Sequence, residues 1–234
     1  MPPGRHELCE LFPLSRSHCS PRCSPCSTEK SKVIISFEGG EGVGKTTHAA
    51  RLCSYLSEKS LPWLSIREPG GSEFSEKIRP LFLEEGLHVM TELLLVLASR
   101  KENISRCIEP AIGTGTIVVI DRFIDSTIVY QGIVGELGKE RVQSIMEQTG
   151  TWIEPDLTFV MDSTTEVSLG RITPLDKFEQ RGIEYHNRLR KAFLDIATQP
   201  RHRVINTDKI IHAVQEEIIS LVERHLNQCS SHGR

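Results

Sequence analysis

The stretch "FEGGEGVGKTTHAARL", residues 37–52, sets a glycine-rich turn, a lysine and two threonines between an apolar run and an amphipathic segment. Gly39-x4-Gly44-Lys45-Thr46 matches the Walker A pattern in full. The flanks supply the context that pattern requires: "VIISF" (33–37) reads as a buried strand and residues 45–58 as a helix. Gly39, Gly40, Glu41, Gly42, Val43, Gly44, Lys45 and Thr46 therefore form a candidate ATP loop. Its glycines let successive backbone N–H groups turn inward around phosphate oxygens, where a helix N-terminus adds partial positive charge. Lys45 would reach the β- and γ-phosphates, and Thr46 would offer a hydroxyl to Mg2+. A glycine turn that merely caps a helix leaves both residues without a task. The guanine-specific pattern Asn-Lys-x-Asp is absent, which argues against an ordinary GTPase.

Outward from the loop, short apolar runs alternate with helical patterns. Strands are expected at 33–37, 61–66, 116–121, 156–162 and 202–206. Helices are expected at about 45–58, 73–83, 91–107, 139–149, 164–172, 179–197 and 209–226. That alternation predicts an α/β fold with a parallel sheet covered on both faces. No internal repeat interrupts it. Ligands of such sheets collect at the carboxyl edge, so a second substrate is to be sought at the remaining strand ends.

The bulk properties set the frame. A chain of 234 residues, 38% hydrophobic and 25% charged, suits one domain with a sizeable core. A formal charge of −3 gives no general attraction to nucleic acid or anionic membrane. No apolar run reaches the roughly 18–20 residues of a membrane helix, and the first thirty residues lack a signal-peptide core. A cytoplasmic protein with no nucleic-acid or membrane partner is the expectation. Seven cysteines, four of them in the first 26 residues, do not form a secreted disulfide pattern and read as reduced thiols.

Residues 1–31, rich in Pro, Ser and Cys, read as a disordered extension, with a targeting segment or a start codon assigned too early as the alternatives. Cys19-x3-Cys23-x2-Cys26 has the spacing of a radical iron–sulfur site, and His18 is a further candidate ligand. Serines and prolines flank the three thiols, so the extension reads more simply as one without a cofactor. The folded domain is expected over 32–227, with residues 228–234 as a C-terminal tail.

Four further segments fall at strand ends or on helices facing them: "REPGGS" (67–72), "ELLLVLASR" (92–100), "DRFIDSTIVYQG" (121–132) and "LDKFEQ" (175–180). With "FEGGEGVGKTT" they resemble bacterial-type thymidylate kinases in order and spacing, from about Val33 to about Leu226. The resemblance implies a three-layer P-loop NTPase fold: a parallel five-stranded sheet flanked by helices, with a short lid. It implies an ATP-dependent kinase that phosphorylates dTMP to dTDP in dTTP synthesis, with Mg2+ as cofactor and a homodimer as assembly.

The resemblance also assigns roles. Asp121, ending an apolar strand beside the loop, would hold Mg2+ or its water, and Arg122 would grip the acceptor phosphate. A surface ion pair is the plain alternative for these two. Arg67 would be a second phosphate ligand, since a guanidinium matches phosphate bidentately; otherwise it covers a turn. Val96 and Arg100, four apart on one helix face, would meet the pyrimidine ring and its O4; the plain alternative for Val96 is core packing alone. Ser126, Thr127, Tyr130 and Gln131 would meet the thymine edge, or else the two hydroxyls cap a helix. Glu41 would face the sugar 3′-hydroxyl, or simply solvent. Arg171 would neutralise charge on the transferred phosphoryl group; the plain alternative for Arg171 and Lys177 is a pair of helix-terminal cations favoured by the dipole.

Two departures stand out. Val96 replaces the phenylalanine that stacks on thymine in the family; stacking on an aromatic is worth roughly 1–3 kcal/mol per base, so weaker binding or an altered base preference is expected. Between Leu169 and Asp176 the lid is cut to "GRITPL", with Arg171 as its one arginine and Pro174 to stiffen it, while Lys177 follows. A thinned lid points to slower turnover, because an added arginine is worth orders of magnitude in such transfers. A kinase for another nucleoside monophosphate and a catalytically weak nucleotide-binding homologue are therefore the alternative readings.

Overall fold

The structure, a computed structural model, describes residues 33–172 and 176–232. The extension with Cys19, Cys23 and Cys26 lies outside the described residues, as does Pro174. Along the chain run β1 (Ile34–Glu38), α1 (Lys45–Glu58), β2 (Trp63–Arg67), α2 (Glu73–Phe82), α3 (Val89–Asn103), α4 (Glu109–Gly113), β3 (Ile117–Asp121) and α5 (Ile124–Thr127). Then come α6 (Lys139–Gln148), β4 (Leu157–Asp162), α7 (Thr165–Leu169), α8 (Ile183–Ile196), β5 (His202–Asn206) and α9 (Ile211–His232).

All five expected strands form, and they pair in parallel in the order β2-β3-β1-β4-β5. β1 sits between β3 and β4, with Ile35 opposite Val119 on one side and Leu157 on the other. β1 and β3 are buried along their whole length, as strands covered on both faces must be. β2 and β5 are edges, where Trp63 and Val204 remain partly exposed.

Alternation along the strands sorts the core into two layers. Ile34, Val118, Ile120 and Val160 face one side and pack with Leu93, Leu97, Val142, Leu189 and Phe193 from the helices there. Ile35, Phe37, Val119 and Phe159 face the other side, against Leu52 and Leu56 of α1 and Ile218 and Val222 of α9. Each such side chain contributes about 1.5–3 kcal/mol on burial, so the three-layer α/β architecture follows from the pattern of apolar positions.

Several helix limits differ from expectation: α7 ends at Leu169 rather than 172, and α8 begins at Ile183 rather than 179. α3 does not stop near residue 107 but passes through a π-helical turn, Ile104–Ile108, into α4. α5 likewise runs into a π-helical segment, Ile128–Val134. α9 continues to His232, so residues 228–232 belong to that helix rather than to a tail. Its apolar stripe already has a partner in α1, which lets the pattern run on.

Because the chain builds β2 and β3 on one side of β1 and then crosses to β4 on the other, a crevice opens at the carboxyl end of β1. The glycine loop fills the mouth of that crevice.

Candidate active site

The loop geometry follows from its glycines. Gly39 has φ 132° and Gly42 φ 68°; a Cβ on Gly39 would lie 2.5 Å from the Met161 carbonyl oxygen, and one on Gly42 2.0 Å from that of Ser168. Neither position accepts a side chain. Gly44, also at positive φ, leads directly into α1. No side chain caps α1 and its first turn holds no carboxylate, whereas α2 is capped by Ser72 and carries Glu73 and Glu76. The N–H groups and positive end of α1 are thus left for an anion.

Lys45 is buried, and its ammonium donates to the Gly40 carbonyl across the loop. Burial, with Arg122 nearby, brings its pKa down to about 8. Thr46 Oγ1 donates to Asp121 Oδ2 at 2.5 Å, which brings together a hydroxyl and a carboxylate of the kind a small hard cation binds. Asp121 reaches this place because β3 pairs with β1, setting Asp121 opposite Phe37.

Arg122 and Glu41 form the next layer. Arg122 Nη2 donates to Glu41 Oε2 at 2.6 Å and Nη1 to the Gly39 carbonyl at 3.0 Å. The Tyr130 hydroxyl donates to Glu41 Oε1 at 2.7 Å, and the guanidinium lies 5.1 Å from the Tyr130 ring centre. Burial would raise the Glu41 pKa, but Arg122 and Lys45 outweigh it and hold the carboxylate at about 2. The solvent-facing alternative for Glu41 does not hold, and neither does a surface ion pair between Asp121 and Arg122. Arg122 itself sits at φ 69°, a left-handed conformation uncommon for arginine.

A single cleft of about 590 Å3 joins this loop to the ends of β2 and β3. Arg67, Val96, Arg100, Ser126, Thr127, Tyr130, Gln131 and Arg171 all line it. Arg67 is half exposed and lies 3.6 Å from Glu76. Val96 and Arg100 share the cleft-facing side of α3, as their spacing predicts. Ser126 and Thr127 do not cap α5 with their side chains. Gln131 donates to Glu92 at 3.3 Å.

Arg100 is more constrained than its sequence position suggests. It is only 1% exposed. Its Nε donates to Glu68 Oε2 at 2.7 Å, and its Nη2 donates to Thr127 Oγ1 at 2.8 Å and to the Phe123 carbonyl at 3.1 Å. The buried Glu68 carboxylate, which burial pushes upward in pKa, is offset by this contact and by Asn103.

The lid cations are also placed. Arg171 donates to the Thr207 carbonyl at 2.9 Å and approaches Asp208 at 3.8 Å, on the side of the cleft near β5. Lys177 is not a helix-terminal cation: it is buried, donating to Glu92 Oε1 at 2.7 Å and to the Glu84 carbonyl at 2.9 Å. Phe82 and Phe178 flank it and themselves line the cleft.

Sequence reasoning missed several lining residues. Arg79, which donates to the Pro69 carbonyl at 2.8 Å, reads in sequence as a dipole partner in the last turn of α2. Glu68 and Phe178 lie inside the segments 67–72 and 175–180 with no role assigned, and Phe82 lies in the helix expected at 73–83. Only their convergence on one cleft sets them apart.

Comparison with known proteins converges on one family. The thymidylate kinase family model matches residues 37–218. A thymidylate kinase of Symbiobacterium thermophilum is 41% identical over 201 residues, 83% of this chain and 94% of that protein. One of Rickettsia bellii is 35% identical over 85% of this chain and 97% of its own. Among solved structures, thymidylate kinase from Ehrlichia chaffeensis superposes with a TM-score of 0.67 at 33% identity, covering 82% of this chain and 98% of that one.

Proposed function

The chain belongs to the thymidylate kinase family, and on that premise we propose that it transfers the γ-phosphoryl group of ATP to dTMP, giving ADP and dTDP for dTTP synthesis. The observation that carries this reading is the continuity of the cleft. A bare helix N-terminus with Lys45 lies at one end, and arginines followed by an apolar slot lie at the other. Nothing in the fold or the relatives favours another nucleoside monophosphate or a non-catalytic homologue.

In the transfer, an oxygen of the dTMP phosphate attacks the γ-phosphorus in line. The new O–P bond forms as the bond to the β,γ-bridging oxygen breaks, and ADP leaves. A phosphate dianion needs little deprotonation, so the protein contributes position and charge neutralisation. The loop N–H groups and Lys45 hold the ATP phosphates. Arg122, with Arg67 and Arg79 across the cleft, grips the acceptor phosphate. Glu41, kept ionised by Arg122, offers Oε atoms to the sugar 3′-hydroxyl. Val96, Arg100, Ser126, Thr127, Tyr130 and Gln131 surround the base, and Arg171 steadies the donor side.

Thr46 and Asp121 fit Mg2+, being two hard oxygen donors already in contact. When bound there, the ion would neutralise phosphate charge. Exposed Phe74 and Leu81 on α2 and Leu94 on α3 lie on neighbouring helices, and such apolar surface supports a homodimer through that face. Among the described residues no helix is long and apolar enough to cross a membrane, in keeping with a cytoplasmic enzyme. The deciding experiment is a coupled ADP-release assay with dTMP, dUMP, dCMP, AMP and GMP. Preference for dTMP by tenfold or more is the expected result; equal rates, or none, would refute the reading.

A further inference from the structure

Glu38, the last residue of β1, has no task in the transfer just described, yet it is wholly buried beside the acceptor end of the cleft. Its Oε1 accepts the Phe123 N–H at 2.9 Å, and its Oε2 accepts the Ser126 hydroxyl at 2.5 Å. The charged groups around it come from three elements. Asp125 on α5 is itself paired with Arg201 and His202 from the start of β5. Arg122 approaches from the turn after β3, and Lys45 from the start of α1. On the remaining side β4 sets the uncharged Val160 opposite Glu38.

These two bonds fix a direction. A backbone N–H can only donate, so Oε1 accepts. A carboxylate has no proton to give, so Oε2 accepts as well, and the Ser126 hydrogen must point at Glu38. Ser126 Oγ also accepts from Arg122 Nη1 at 3.5 Å, so a lone pair, and no hydrogen, is left for the cleft it lines. The adjacent Thr127 Oγ1 accepts from Arg100, whose other nitrogens bond Glu68 and Met146. Among pyrimidines, thymine presents an N3–H donor where cytosine presents an unprotonated N3 acceptor.

We propose that Glu38 is a positioning residue that selects the base by aiming the Ser126 hydroxyl away from the cleft, so that Ser126 accepts from thymine N3–H and opposes cytosine N3. The proposal rests on the dTMP reading of the cleft. Burial and the Asp125 charge raise the Glu38 pKa to about 7. Above that pH the carboxylate keeps Ser126 an acceptor. Below it the acid donates to Ser126, whose hydrogen turns toward the base. Preference for dTMP over dCMP therefore falls as pH falls from 8 to 6; both substrates carry the same phosphate, so its ionisation cancels in the ratio.

The test is Glu38→Gln. The Phe123 N–H holds the amide oxygen, leaving the NH2 to donate to Ser126 and reverse the hydroxyl. The ratio of kcat/KM for dTMP to that for dCMP should fall about tenfold, mainly through KM, since one hydrogen bond is lost and another gained. In a Ser126→Ala background Glu38→Gln should leave the ratio unmoved. An unchanged ratio in folded Glu38→Gln, or an equal shift without the hydroxyl, overturns the proposal. Should the variant fail to fold, the parent's ratio between pH 8 and 6 decides: a decline supports the proposal and a flat profile overturns it. A parent that releases no ADP with dTMP refutes the dTMP reading itself, and this inference with it.

Discussion

Arg122 and Glu41 meet at 2.6 Å in the wall of the cleft, with 18% and 13% of their side-chain surfaces exposed. The pair joins the end of β3 to the phosphate loop across 81 residues of sequence. It also offsets the cost of Arg122's left-handed backbone, about 1–3 kcal/mol. The glycine loop and the turn after β3 are therefore tied together.

That pair makes stability depend on acid. The Glu41 pKa is depressed from 4.5 to about 2, so its stabilisation is complete above pH 4.5 and is lost as pH falls toward 2. Urea unfolding at pH 6 should show Glu41→Gln less stable than the parent by about 2–3 kcal/mol. At pH 3 the gap should narrow. A gap that stays constant between the two would show that the charge of Glu41 adds nothing.

Lys45→Ala should lower ADP release by about a hundredfold or more, the scale for losing one group that meets developing charge. The ligand-free melting temperature should hold or rise, because the buried ammonium carries a desolvation cost visible in its lowered pKa. Parent-like turnover would remove Lys45 from the site.

Arg100, proposed to meet the base, also holds the fold together. Arg100→Met should cost about 3–5 kcal/mol, because it strands the Glu68 carboxylate in a buried site. The double variant Arg100→Met, Glu68→Gln should recover much of that loss while dTMP binding stays weak. Additive losses in melting experiments would mean that the pair is not coupled.

Val96→Phe restores an aromatic beside Arg100. Most of its gain should be a lower KM for dTMP with a smaller change in kcat, since stacking is made equally in ground and transition states. Val96 is only 5% exposed, so overpacking of about 1–3 kcal/mol competes, and melting must be followed alongside kinetics. An unchanged KM in a variant as stable as the parent would place Val96 away from the base.

Much of this protein is legible in the sequence because its signals are local. The phosphate loop is eight consecutive residues whose glycines answer to backbone sterics, and the five strands are short apolar runs that needed no distant partner to be seen. Val96 and Arg100 share a face because a helix repeats every 3.6 residues. The carboxyl ends of the strands place Asp121 and Arg122 beside the loop once the sheet is parallel.

What the tertiary structure decided are the contacts between charges far apart in the chain. Lys177 follows the lid and reads as a lid or helix-terminal cation, but the fold buries it on Glu92, 85 residues away. Arg100 offers donors in sequence, and Glu68, Thr127 and the Phe123 carbonyl occupy them in the fold. Glu38 looks like the last residue of a strand; its hold on Ser126, 88 residues away, exists only because β1 and β3 are neighbours. Periodicity records which face of its own element a residue takes. The partner waiting on that face is set by how elements pack, and burial, by stripping water from each charge, leaves that partner to determine what the residue can do.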